Sequence, residues 1–247
     1  MSASRPILSR LYDLLFAAYG PQGWWPSAWS AGRRGFDSRG YHPDRFDFPR
    51  TPSQRFEIAA GAVLTQNTAW TNVEKALERL AEAGITSARA VRDAPSRRLA
   101  SLITASGYYN QKAKKLKALA ELFLDSGIAS AGRPPTRDGL LSVWGVGEET
   151  ADSILLYAYA RPVFVVDAYT RRLLERLGLL RGGESYRDIQ ELFHAALPAR
   201  PTLFNEYHAL IVEHGKRRCR AKPLCAGCPV TVCPLWRRSD EKGDAAR

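Results

Sequence analysis

An all-α fold is predicted by three observations on the sequence. Between residues 53 and 127, apolar side chains recur at helical spacing with short polar breaks, as in Phe56–Val63, Val73–Leu80 and Lys112–Leu124. Residues 151–160 place Ala151, Ile154, Leu155 and Ala158 on one helical face. The run with strand-like composition, Pro162-Val163-Phe164-Val165-Val166, is short and isolated among helical patterns. A connecting segment accounts for it as well as a buried strand does.

The remaining elements follow in order. Residues 7–19 (ILSRLYDLLFAAY) have helical apolar spacing, and Gly20 to Pro26 form a turn-rich stretch with adjacent tryptophans, Trp24 and Trp25. Residues 27–51, rich in Gly, Arg, Asp and Pro, read as an irregular loop. Pro134-Pro135 breaks the chain before another helix, and residues 169–180, 187–197 and 204–214 are helical again. The polar tail Ser239–Arg247 is expected to be disordered.

The 247 residues allow one large domain or two small ones, and 45% hydrophobic content is enough for a sizeable core. A run of 18 or more apolar residues is absent, which argues against a membrane-spanning helix. The N-terminal apolar run carries Asp13 and lacks a clear small-residue cleavage site, so it reads as an amphipathic helix, and a cytoplasmic protein is expected. The formal net charge of +11 favours an anionic partner, nucleic acid first among them, over a basic surface without specific use.

All four cysteines lie in the pattern Cys219-x5-Cys225-x2-Cys228-x4-Cys233. Clustered in this way, with Pro223, Gly227 and Pro229 favouring turns, they point to a metal site and away from a disulfide framework. Four sulfurs suit zinc or an iron–sulfur cluster, and one CxxC flanked by single cysteines is closer to a cubane pattern.

Residues 140–154 read as helix, Gly145-Val146-Gly147 turn, helix. Glycine at both turn positions permits positive φ and close backbone approach. The first-turn N–H groups of the second helix then form an anion site suited to a DNA phosphate, without reading sequence. A plain glycine connection between two helices is the simpler alternative. Twenty residues past Gly147 comes Asp167, after Val165-Val166. It is placed either to cap the next helix or, as a partly desolvated carboxylate, to stabilise a cation or activate water. Earlier, Leu64-Thr65-Gln66-Asn67-Thr68-Ala69-Trp70 ends an apolar segment with polar groups and a tryptophan.

The helix–GVG–helix, the later aspartate and the four-cysteine loop, in this order, resemble the helix-hairpin-helix (HhH-GPD) DNA glycosylases of the endonuclease III type, from about Phe56 to Cys233. The resemblance implies two helical lobes with a DNA cleft between them. Residues 1–52 plus 162–247 would form one lobe with the cluster loop 219–233, and residues 53–161 the other, with the hairpin 140–154. It implies Asp167 as the catalytic aspartate and Cys219, Cys225, Cys228 and Cys233 as ligands of a [4Fe-4S] cluster, with zinc the alternative. The outer cysteine spacings are one residue shorter than the usual endonuclease III pattern.

One departure bears on mechanism. Bifunctional members carry a lysine two residues after the second hairpin glycine, which forms a Schiff base with the sugar. Glu149 stands there, and a carboxylate cannot form an imine; the closest lysines in sequence are Lys117 and Lys216. A monofunctional N-glycosylase is therefore expected, with Asp167 stabilising an oxocarbenium-like sugar and activating water.

The sequence is most similar to the 3-methyladenine glycosylase III subgroup. The shared stretches are Leu64 to Trp70, Ser106-Gly107-Tyr108-Tyr109-Asn110-Gln111-Lys112-Ala113, Glu149-Thr150-Ala151-Asp152, and Trp24-Trp25-Pro26. The resemblance implies that Trp24 and Trp70 sandwich a flipped base in a pocket that includes Trp25 and Pro26. Two electron-rich indole faces attract an alkylated, cationic purine. Tryptophans packed in a core are the alternative. Gln66 and Asn67 would fill the gap left by the flipped base, with Tyr108 as a wedge; helix capping or packing would be their other roles. The expected partner is double-stranded DNA with a damaged base, bound by a monomer, nucleoid-associated if bacterial. An endonuclease III-like glycosylase and AP lyase acting on oxidised pyrimidines, and a non-catalytic DNA-binding protein, are the rival readings.

Overall fold

A computed structural model describes residues 4–125 and 133–236; the tail Ser239–Arg247 lies outside the described residues. All regular structure among the described residues is helical. In chain order the α-helices are α1 (Ser4–Tyr19), α2 (Pro52–Leu64), α3 (Trp70–Glu82), α4 (Ala88–Asp93), α5 (Ser96–Leu102), α6 (Tyr109–Asp125), α7 (Arg137–Leu141), α8 (Glu148–Ser153), α9 (Ala168–Arg176), α10 (Tyr186–Ala196) and α11 (Pro201–Arg217). None of the described helices is long and apolar enough to cross a membrane.

The chain divides into two compact units, Met1–Gln22 with Pro162–Arg247, and Gly23–Arg161. In the first, α1 packs on α10 and α11, and α9 packs on α11. Its centre is aromatic. Phe164 stacks on Phe193 at 3.6 Å between centroids and meets Phe204 and Tyr207 edge-on. The buried Tyr207 hydroxyl donates to the Leu8 carbonyl at 2.7 Å, which ties α11 to α1.

The Pro162–Val166 run is not a strand. Its backbone groups are satisfied by side chains of α10 instead of a partner strand. Phe164 N–H donates to His194 Nε2 (3.0 Å), the Gln190 amide donates to Phe164 O (2.7 Å), and Val166 N–H donates to the Tyr186 hydroxyl (3.3 Å). An extended, buried segment needs such partners, because an unpaired buried amide costs as much as a lost hydrogen bond.

In the second unit, α2 is almost wholly buried and is started by a capping box between Thr51 and Gln54. Helix α6 packs on α4, α5 and α2. Residues 23–52, grouped by the sequence with the terminal lobe, pack here instead. Trp29 Nε1 donates to Leu77 O of α3 at 3.0 Å, and Arg39 pairs with Glu74 of α3. The loop closes tightly at Gly40, where a Cβ would lie 2.0 Å from Ser27 O and φ is +84°.

The anchor of this loop is Glu57, a carboxylate on α2 that is 1% exposed. Its oxygens accept from Ser27 Oγ (2.6 Å) and Trp29 N (2.8 Å). Burial, opposed by these hydrogen bonds, pushes its pKa up from 4.5 to about 7. The folded state therefore holds this proton more tightly than the unfolded state does. Stability from this group is full below about pH 4.5 and is lost as pH rises to about 7, a change of about 3 kcal/mol. Glu57→Gln is expected to flatten that slope. Urea unfolding at several pH values checks it, and parallel slopes in parent and variant would exclude Glu57 as the source.

Candidate functional site

The segment that Glu57 anchors carries Trp24 and Trp25, and Trp70 opens α3. Trp25 is buried, and Trp24 and Trp70 are half-buried. Trp25 stands edge-on to both neighbours. Its ring lies 5.9 Å from Trp24 at 76° and 5.2 Å from Trp70 at 87°. Trp25 is thus the central ring of the three, set steeply to both others. Tyr157 joins this cluster, 5.0 Å from Trp25 and 6.1 Å from Trp24. It reaches them because α8 continues as a π-helical turn, Ile154–Ala158; such turns rotate side chains off the regular helical register. Pro26 is buried beside Trp25. Gly61 of α2 leaves room for Trp25, since a Cβ there would lie 3.0 Å from Trp25 Nε1. Among the described residues, Trp25 Nε1 and Trp70 Nε1 are buried without a hydrogen-bond partner.

Trp70 opens α3, and the turn before it is held by two lysines three residues apart on α6. The buried Lys112 ammonium donates to Leu64 O (2.8 Å) and Ser106 O (2.6 Å), and burial pushes its pKa down to about 8. Lys115 donates to Gln66 Oε1 at 2.6 Å, and Gln66 Nε2 donates to Gly145 O (3.1 Å) and Thr150 Oγ1 (3.0 Å). The Gln66 amide is thus committed at both ends and brackets the turn to the hairpin. Asn67 and Tyr108 are exposed, both in the left-handed region at φ 55° and 44°. Such backbone strain in non-glycine residues concentrates at functional sites. The sequence held no local sign of this bracket, since its partners are 49 to 84 residues apart.

The hairpin uses its glycines unequally. Gly145 has φ +80° and fits against the Lys115 side chain. Gly147 has φ −98°, an extended conformation open to any residue, so the expectation of positive φ holds at Gly145 alone. Space is open around Gly147 where a Cβ would stand. Val146 points inward and is buried, which leaves the backbone of Gly145 and Gly147 exposed. Arg137 of α7 clamps the second helix, donating to Asp152 (2.8 and 3.1 Å) and Glu148 (3.2 Å). Glu149 is exposed on the first turn of α8.

Asp167 is the N-cap of α9. Its Oδ1 accepts from Thr170 N at 2.7 Å and from Thr170 Oγ1 at 2.9 Å. The side chain is 12% exposed, so the cap coexists with a carboxylate withdrawn from bulk water.

The four cysteines line one small cavity, with Leu173, Val230 and Leu235 among its apolar walls. Cys219 and Cys233 are buried, and Cys225 and Cys228 half-buried. Arg176 donates to Cys219 Sγ at 3.1 Å, and His214 Nε2 lies 3.9 Å from Cys228 Sγ. Burial pushes the Cys225 and Cys228 thiols up, a cost that a cationic group in the cavity would reverse. Among the described residues no three His, Cys, Asp or Glu side chains gather tightly enough to hold a single ion.

Comparison with known proteins agrees with this geometry. Residues 60–199 match the family described as HhH-GPD superfamily base excision DNA repair protein. A "Putative DNA repair glycosylase" of Methanocaldococcus jannaschii is 38% identical over 231 residues, 91% of this chain and 94% of that protein. The endonuclease III of Thermotoga maritima is 30% identical over 196 residues, 77% of this chain and 89% of that protein. Among solved structures, the H. pylori 3-methyladenine DNA glycosylase bound to 1,N6-ethenoadenine superposes with a TM-score of 0.64 at 29% identity, covering 87% of this chain and 97% of that one.

Proposed function

The chain belongs to the HhH-GPD superfamily of base excision DNA repair proteins and is a DNA glycosylase of that kind, and we propose that it is monofunctional and removes alkylated purines such as 3-methyladenine from double-stranded DNA. The observation that carries this reading is the arrangement of Trp24 and Trp70, each edge-on to Trp25. A flat cationic base entering against two indole faces is stabilised by about 0.5–2 kcal/mol relative to its neutral counterpart. Such a pocket selects by charge and needs few hydrogen bonds. That the H. pylori enzyme binds 1,N6-ethenoadenine supports a purine pocket in this chain as well.

The chemistry follows from the residues. The C1′–N bond breaks and its electron pair leaves with the base, which alkylation has already made a good leaving group. The ionised Asp167 stabilises the oxocarbenium-like sugar, a water oxygen bonds to C1′, and its proton passes to Asp167 and on to solvent. Glu149 holds the position where an amine would attack, so the reaction stops at the abasic site. Gly145 and Gly147 grip a phosphate through their backbone, with Val146 as the internal anchor. Asn67 and Tyr108 enter the duplex, while Gln66 fixes the turn that carries Asn67. In the cysteine cavity, Cys219, Cys225, Cys228 and Cys233 would hold a [4Fe-4S] cluster. Four thiolates around an apolar space, with one CxxC flanked by single cysteines, fit the ligand set of such a cluster. When bound, that group supplies a covalent tie across the C-terminal loop.

The test is base release from methylated DNA beside thymine-glycol duplex. We expect 3-methyladenine to be freed, with strand breaks appearing only after alkali. Release of thymine glycol with a borohydride-trapped protein–DNA adduct would establish the rival glycosylase and AP lyase reading instead. Trp70→Ala is expected to cut 3-methyladenine release by about tenfold, the scale of one cation–π wall, with duplex affinity unchanged. Equal losses in both assays would make Trp70 a packing residue.

A further inference from the structure

Asp167 commits one oxygen to its own helix, because Oδ1 takes both Thr170 hydrogen bonds. The other oxygen, Oδ2, lies 3.7 Å from Nε2 of His208, on α11. Nothing in the reaction above uses His208, a titratable residue that is only 4% exposed. Its ring stands perpendicular to Phe164, 88° at 6.4 Å between centroids. Phe164 is itself locked by its stack on Phe193. The imidazole is therefore seated on a rigid aromatic platform, with Nε2 on the Asp167 side.

We propose that His208 is a positioning residue for Asp167, holding Oδ2 through its Nε2–H so that the carboxylate keeps one orientation toward the reacting sugar. The proposal rests on the reading of Asp167 as the group that acts at C1′. A carboxylate pinned only at Oδ1 still has a broad torsion about its terminal bond. A second contact at Oδ2 narrows it. The charge state matters too. Burial lowers the His208 pKa, the Asp167 charge raises it, and Lys216 of α11 lowers it. A neutral imidazole donates a hydrogen bond and leaves the carboxylate its charge, whereas an imidazolium would draw that charge away from C1′. At 3.7 Å the two atoms are close but not hydrogen-bonded; the proposed bond forms as the site tightens around substrate.

Two substitutions separate positioning from packing. His208→Gln places an amide Nε2–H where the imidazole has its own, and His208→Met fills similar space without a donor. In single-turnover release of 3-methyladenine, His208→Met is expected to be about 10- to 100-fold slower than the parent, and His208→Gln to restore the rate to within about threefold. Thermal melting and duplex affinity should match the parent in both. If Gln is as slow as Met, or Met as fast as the parent, the proposal is overturned. A second measurement does not depend on the substrate. The chain has four histidines, so the His208 imidazole can be followed by NMR titration. Asp167→Asn should lower its pKa, since the charge that raises it is gone. An unchanged titration would dismiss the contact. A parent that releases no alkylated base overturns the proposed substrate instead, and the titration still decides the contact.

Discussion

Asp167→Asn is expected to slow base excision by about 100- to 1,000-fold, the loss associated with removing one preorganised stabilising group from a transition state. Duplex affinity and thermal stability should stay close to the parent's. The separation is possible because the two roles of Asp167 sit on different properties of the side chain. Capping needs an acceptor oxygen for Thr170 N and Oγ1, and asparagine supplies one as well as aspartate does. Stabilising a cationic sugar and taking a proton from water need the negative charge, which asparagine lacks. Asp167→Ala is the complementary control. It removes the cap as well, so it should lose about 1 kcal/mol of stability in addition to the activity. Single-turnover base release, fluorescence anisotropy on undamaged duplex, and thermal melts measure the three properties. If Asp167→Asn excised at the parent's rate, capping would be its only function.

The same residue shows what was legible in the sequence. A carboxylate leaving an apolar run, before a helical pattern, marks a cap whatever else it does, and the structure places that cap at Asp167. Helix positions were legible because apolar spacing depends only on local sequence. What was not legible depends on partners distant in the chain. The Pro162–Val166 run has strand composition, and only the side chains of α10 explain why it needs no partner strand. Residues 23–52 carry no periodicity, so no local signal assigned them to the second unit; Glu57 and the close approach at Gly40 do so. Tyr157 looked like one more helical residue, and the π-helical turn that brings it to Trp24 and Trp25 leaves no mark in composition. Nothing local in the sequence sets the roles of Lys112 and Lys115 apart from those of the other lysines on α6. Their ammonium groups in fact organise the turn and the hairpin. His208 was passed over because a lone histidine among apolar neighbours gives no hint of which carboxylate it meets.

Loss of the cysteine site should have the largest effect on stability. Cys219→Ser and Cys233→Ser, at the buried ends of the loop, are each expected to lose the iron and acid-labile sulfide of the purified protein and its broad visible absorbance. The loop from Cys219 to Trp236 has little regular structure, only a short helical turn at its end, and a small cavity lined by all four cysteines. A chain segment of that kind orders itself poorly without a central group, because ordering costs about 1–2 kcal/mol per residue in backbone entropy. With the group present, ligand binding free energy becomes folding free energy. A net loss of about 3 kcal/mol would lower the melting temperature by roughly 6–12 °C for a chain of this size. The effect should centre on α9 and α11. Arg176 of α9 donates to the Cys219 sulfur and to the Arg220 and Ala221 carbonyls, while Cys219 directly follows α11. Since α9 begins at Asp167 and α11 carries His208, disorder spreading from the cavity would reach both residues. Iron analysis, melting curves and single-turnover excision on the same preparations would show this order of events. A colourless parent with one zinc per chain would refute the iron–sulfur assignment while leaving the mechanical coupling through Arg176 intact.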